Sequence, residues 1–152
     1  MDEIVTTVAA WDGVLTLRPG PGDGSPEVSW GDVFFYVAPD GTVPSGQPFA
    51  TIVTKDYPGE PGAGLDRPGA FRVNIDAGRR PQGSGAPQAD PGVDPSAPDE
   101  LMPHPVYGGL GWVAVVDPAE RTRETVPALL RAAHQAAWVR WRRRHDLDQP
   151  GS

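Results

Sequence analysis

The chain has 152 residues, of which 19 are Gly and 19 Pro, carries a net charge of −7 and contains no cysteine. That composition excludes disulfide scaffolds, thiolate metal sites and Cys nucleophiles, and the acidity argues against general binding to a phosphate backbone. Length predicts one domain. With no apolar run of about 20 residues and no charged-then-apolar leader, a cytoplasmic protein is expected.

In chain order, Ile4, Val5, Val8 and Trp11 recur at helical spacing behind Asp2 and Glu3, whose charges suit a helix start, and Gly13 reads as the stop. Val14–Arg18 alternates as a strand. Val33–Ala38 is a second strand, ended by the turn Pro39-Asp-Gly41. Phe49–Lys55 is a third and Ala70–Ile75 a fourth; in the fourth, Phe71, Val73 and Ile75 face one side while Arg72 and Asn74 face the other. Gly111–Val116, nearly continuous in apolar residues, reads as a central fifth strand. Asp117-Pro-Ala-Glu120 has the signature of a helix start. Pro127, however, fits the first turn of a helix capped at Thr125 better than the interior of a longer one. That helix runs through Trp138 and Trp141 and ends in Arg140–Arg144, cations that complement its carboxyl end.

The glycines and prolines gather between these elements, 30 of the 38 falling in residues 19–31, 39–48, 58–69 and 76–105. Most of them are punctuation. Residues 78–99, with no aromatic residue and a single branched aliphatic in Val93, cannot bury enough apolar area to offset their ordering entropy, and a mobile insert is expected there. The expected fold is α+β: a mostly antiparallel sheet of about five strands with N-terminal and C-terminal helices packed on one face, spanning residues 1–146 ahead of a disordered tail at 147–152.

Three places offer chemistry. His104, held between two prolines, should lie on an entry loop at the end of the sheet. With Tyr107 and Trp112 nearby it reads either as an acid/base or as a ring packed on Trp112. Lys55-Asp-Tyr-Pro58 and Leu65-Asp-Arg-Pro68 bracket a Gly-rich loop. Arg67 and Arg72 could bind an anion that Asp56 or Asp66 orients, with Asn74 projecting beside them, or these charges could pin the loop by ion pairs. Trp30 and Tyr36 read as pocket lining or as core. His104, His134 and His145 are scattered, so no metal site and no cofactor is expected. Residues 1–120 carry a net −11 and residues 121–152 a net +4. The basic helix is therefore expected to dock on an acidic body, the alternative being nucleic-acid contact by Arg140, Arg142, Arg143 and Arg144 with Trp138 and Trp141 stacking.

Trp30-Gly-Asp32, Ala50-Thr-Ile-Val53, Leu65-Asp-Arg67, Phe71–Ile75 and His104-Pro-Val-Tyr107 with Gly111-Trp112 together resemble an uncharacterised actinobacterial family of unknown function. That family is in turn similar to the MmcQ/YjbR-like domains. The resemblance spans residues 1–142 outside the insert; it implies the α+β fold and a bacterial cytosolic location, and it lends no catalytic residues. The function expected from the residues is a binding module for a small molecule or a protein. Its cleft would be built from Trp30, Lys55, Arg67, Arg72, Asn74 and Trp112 around His104 and Tyr107. A small cofactor-independent enzyme, with His104 as acid/base assisted by Tyr107 or Asp66, is the alternative. Nucleic-acid binding ranks third, no membrane contact is expected, and a homodimer is left open.

Overall fold

In the computed structural model, described over residues 1–56, 62–78 and 92–147, two helices and six strands follow the order α1 (Asp2–Ala9), β1 (Val14–Leu17), β2 (Val33–Val37), β3 (Ala50–Val53), β4 (Arg72–Asp76), β5 (Met102–Pro103), β6 (Trp112–Val116) and α2 (Thr125–Leu147). The strands form one open antiparallel sheet in the order β1-β2-β3-β4-β6-β5. The sheet has one strand more than the five expected. The addition, β5, is two residues long, too short to leave a period in the sequence. It sits on the outer edge of β6, which is therefore flanked on both sides.

Alternation along each strand sorts the side chains onto two unlike faces. Register aligns Val33, Ile52, Val73 and Val115 in one row. With Phe35, Phe49 and Ile75 they form the main core beneath Val5 and Val8 of α1 and Val126, Leu129, Leu130 and Ala133 of α2. Both helices thus lie on the same side of the sheet. The other face carries the row Phe34, Thr51, Asn74, Ala114 and Met102. Part of that face is covered by a second, smaller core, in which Ala63, Leu65 and Ala70 of the loop before β4 pack on Val53, Met102, Ala114 and Val116, with Val93 against them. Among the described residues, no α-helix lies on the rest of it.

Corners are fixed locally. Gly13 has φ +70°, and a Cβ there would stand 2.3 Å from Cζ2 of Trp138, so the α1–β1 corner and α2 meet at a position that only glycine fits. Trp138 Nε1 also donates to the carbonyl of Asp12 at 2.8 Å. Asp117 is not the start of a helix. It closes β6 with φ +44°, and its carboxylate accepts from the Phe71 N–H at 3.0 Å and from Arg67 at 3.0 Å. The segment that follows is tied instead by Asp99, whose carboxylate accepts from the backbone N–H groups of Ala119, Arg121 and Thr122 and from the Thr122 hydroxyl. α2 then begins at Thr125 with Pro127 in its first turn, where a missing N–H costs nothing. Residues 79–91 of the expected insert and residues 148–152 of the expected tail lie outside the described residues, while Asp99 and Val93 of the insert make the contacts given above.

Candidate functional site

The face opposite the two α-helices holds a cleft of about 470 Å³. Its walls are Phe34 and Tyr36 from β2, Trp112 from β6, Tyr107 and Leu110 from the β5–β6 connection, and the Gly46–Pro48 linker. Its floor is polar: Thr51 of β3, Arg72 and Asn74 of β4, and His104 just past β5. Arg72, Asn74 and His104 are only 4%, 3% and 6% exposed, and polar groups so buried must be bonded to persist. They are. Arg72 Nε donates to Asn74 Oδ1 at 2.9 Å, and Asn74 Nδ2 donates to Thr51 Oγ1 at 3.0 Å. This chain crosses two strands because Thr51 and Asn74 are register partners and Arg72 stands two residues before Asn74 on the same face.

His104 is placed by its own turn. Its N–H donates to the Trp112 carbonyl at 2.9 Å, and its carbonyl accepts from the Gly108 N–H at 2.9 Å. Nδ1 of the ring accepts from the backbone N–H groups of Val106 at 3.0 Å and Tyr107 at 3.1 Å. Nε2 lies 3.4 Å from Nη2 of Arg72. The Tyr107 ring leans over the imidazole with centroids 4.9 Å apart. Burial, reinforced by the Arg72 charge, pulls the His104 pKa down to about 4, so the ring is neutral at physiological pH. The Tyr36 hydroxyl is pushed above its ordinary range by burial.

Of the residues singled out in the sequence, the fold gathers Arg72, Asn74, His104, Tyr107 and Trp112 into this cleft. Trp30, Lys55, Asp66 and Arg67 lie outside its lining. Trp30 Nε1 donates to the Ser25 carbonyl at 3.3 Å, and its own carbonyl accepts from Lys55 Nζ. Lys55 also stands 3.8 Å from the fully buried carboxylate of Asp32, which accepts from the Thr54 N–H at 2.9 Å. Arg67 pairs with Asp117 at 3.0 Å and donates to the Gly64 carbonyl. Asp56 accepts from the Ala63 and Leu65 N–H groups, and Asp66 is exposed. These two corners therefore pin the loop that forms the smaller core. Thr51 and Phe34 join the cleft without having been singled out, because only strand pairing sets Thr51 beside Asn74 and Phe34 beside Thr51.

The basic end of α2 makes an ion pair with the sheet and ring contacts within its own helix. Arg140 stands 3.9 Å from Asp76, Arg142 lies over the Trp138 ring at 5.1 Å, and Trp141 stacks on His145 at 3.7 Å. A second, wider hollow of about 820 Å³ runs between α1 and the approach to α2, with Ile4, Trp11 and Leu130 in it and Asp2, Glu3 and Glu120 at its rim. It has no buried polar cluster like that under the cleft. Among the described residues, no group of three His, Asp or Glu is placed to hold a metal ion, and no helix is long and apolar enough to cross a membrane.

The molecule is an α+β protein with an open antiparallel sheet, helices on one face and a polar-floored cleft on the other. It belongs to the family of unknown function DUF6194, whose model matches residues 1–146. No curated protein and no solved structure matches the chain.

Proposed function

We propose that the protein is a binding module whose cleft takes a small organic molecule. One observation carries this reading: Arg72, Asn74 and His104 are held almost fully buried at the floor of a hollow with aromatic walls. A sheet face kept only for stability would bury apolar side chains there, as the other face does, since withdrawing a guanidinium from water costs several kcal/mol unless something offsets it. The volume is in the range of small-molecule sites, and a few convergent polar groups among aromatic ones is their usual make-up.

The same geometry favours binding over acid–base catalysis. A base working at Nε2 needs a lone pair on that atom, whereas Nδ1 receives two backbone N–H groups and so holds the ring's lone pair. A ring with a pKa near 4 is also a poor proton reservoir at neutral pH.

The test is a fragment screen on the ¹⁵N-labelled full chain, read by amide chemical shifts. Ligands are expected to move the amides of Thr51, Asn74, Val106 and Trp112 together. Hits that instead cluster on Thr6, Trp11, Thr122 and Leu130, around the wider hollow, would move the binding role elsewhere.

A further inference from the structure

We infer that β1 is the seam of a homodimer: two copies of the chain join their β1 strands antiparallel about a twofold axis through Thr16, so that the sheet of one continues into the sheet of the other.

The two edges of the sheet are built differently. At one edge, β5 is two residues long and includes Pro103, with Pro105 just beyond it. A strand so short, with prolines in it, offers almost nothing for another strand to pair with. At the other edge, β1 reads Val-Leu-Thr-Leu, with neither a proline nor a charge. The ladder shows which of its backbone groups face out. The Gly13 carbonyl accepts from the Ala38 N–H at 2.8 Å, and the Pro19 carbonyl accepts from the Gly31 N–H at 3.2 Å. Odd residues of this stretch therefore turn their backbone groups toward β2, and Val14, Thr16 and Arg18 turn theirs away. Among the described residues no strand lies on that outer side. The Val14 N–H is held by the Trp11 carbonyl at 3.3 Å. What faces outward without a bond is then the Val14 and Thr16 carbonyls and the Thr16 and Arg18 N–H groups.

That set is its own complement in one register. With Thr16 opposite Thr16 of the second copy, each Thr16 N–H donates to the other copy's Thr16 carbonyl, and each Arg18 N–H to the other's Val14 carbonyl. A shift of two residues one way calls on the Val14 N–H, which is already bonded. A shift the other way leaves the Val14 carbonyl facing Gly20, whose N–H is held by Asp23 at 2.9 Å.

Side chains agree with this pairing. Val14 and Thr16 stand beside Val37 and Phe35 on the helix side of the sheet, and Leu15 and Leu17 beside Tyr36 and Phe34 on the cleft side. Across the seam Leu15 meets Leu17 of the second copy, which covers a side chain left 38% exposed in the single chain. Arg18 lies opposite Val14 and diagonal to Asp12 of the second copy, within reach of a long side chain. Both Asp12 and Arg18 are exposed, and among the described residues neither has an ion-pair partner in its own chain. The twofold axis gives two such opposite-charge pairs, which favours a second copy over an arbitrary strand. The axis stands perpendicular to the sheet, so both clefts open on the same side. A four-residue seam is well short of a standard interface, and the dimer should dissociate in roughly the micromolar range.

The full chain is followed by sedimentation over about 5–500 µM, with amide hydrogen exchange measured at both ends of that range. A monomer–dimer equilibrium is expected, and the Thr16 and Arg18 amides should exchange about tenfold or more slowly at the upper end than at the lower. A monomer throughout overturns the inference, and so does a dimer in which those two amides are no better protected. Arg18→Glu sets like charges against Asp12 and should weaken association about tenfold. Adding Asp12→Lys to it should restore the dimer. Unchanged association in the single variant, or no recovery in the double one, also overturns the assignment. Both positions are exposed, so both variants are expected to fold; if either does not, exchange at Thr16 and Arg18 in the unsubstituted chain decides.

Discussion

Asn74→Leu is the sharpest probe of the polar floor, because the two side chains have nearly the same shape and differ in their hydrogen bonds. The substitution removes the acceptor of Arg72 Nε at 2.9 Å and the donor to Thr51 Oγ1 at 3.0 Å. A hydrogen bond to a charged group contributes about 1.5–3 kcal/mol and a neutral one about 0.5–1.5 kcal/mol. Against this, the extra apolar surface that Leu buries returns roughly 1 kcal/mol. The net loss is then about 1–3.5 kcal/mol, or roughly 3–10 °C in Tm for a chain of this size. Urea unfolding should show a lower midpoint at unchanged slope, since the unfolded state is not altered. A double-mutant cycle with Arg72→Met isolates the pair, with an expected coupling of about 1–2 kcal/mol. A loss under about 0.5 kcal/mol, or a coupling near zero, would mean that Arg72 is not held by Asn74 and that the floor is not preorganised.

Three more outcomes follow from the same contacts. The His104 pKa is held near 4, below its ordinary 6.5, so the unfolded chain takes up that proton first and stability falls by roughly 2–3 kcal/mol as pH drops from 6.5 to 4; Asp99, held at about 2 by its backbone N–H and Thr122 bonds although partial burial opposes the shift, adds a second loss below 3.8, and an unfolding free energy flat from pH 7 to 4.5 would contradict the buried neutral ring. Gly13→Ala forces a Cβ to 2.3 Å from Trp138 at φ +70° and should cost about 2–4 kcal/mol in urea unfolding, with a change in tryptophan fluorescence; a cost below about 1 kcal/mol would show that the corner has slack. Asp56→Asn weakens the acceptor of the Ala63 and Leu65 N–H groups, so hydrogen exchange at those two amides should speed up while that of Val73 and Val115 in the main core stays unchanged.

How far the sequence could be read depended on the range of the contacts involved. In β4 a period of two separates Val73 and Ile75 from Arg72 and Asn74, and the structure keeps that division. His104 stood out because the prolines beside it bar regular structure, and it does sit at the corner between β5 and β6. Thr51 was invisible, because its meaning comes from pairing with Asn74 across a register that only the folded sheet sets. Lys55 and Arg67 left two readings open, because charge at a Pro-bounded corner looks the same whether it serves a ligand or pins a loop, and here their partners are Asp32 and Asp117. Asp117-Pro carried every mark of a helix N-terminus, yet its left-handed backbone serves the end of a strand. The helix start fell to Thr125, with distant Asp99 anchoring the stretch before it.

The two unlike faces of the sheet give β4 a particular freedom. Val73 and Ile75 pack under the helices, whereas Arg72 and Asn74 face the cleft. Exchanging the second pair would change the polarity of the cleft floor without touching the packing beneath α1 and α2. One five-residue strand thus carries two separable sets of positions, so the cleft floor can be rewritten at alternate residues while the core beneath the helices keeps its own.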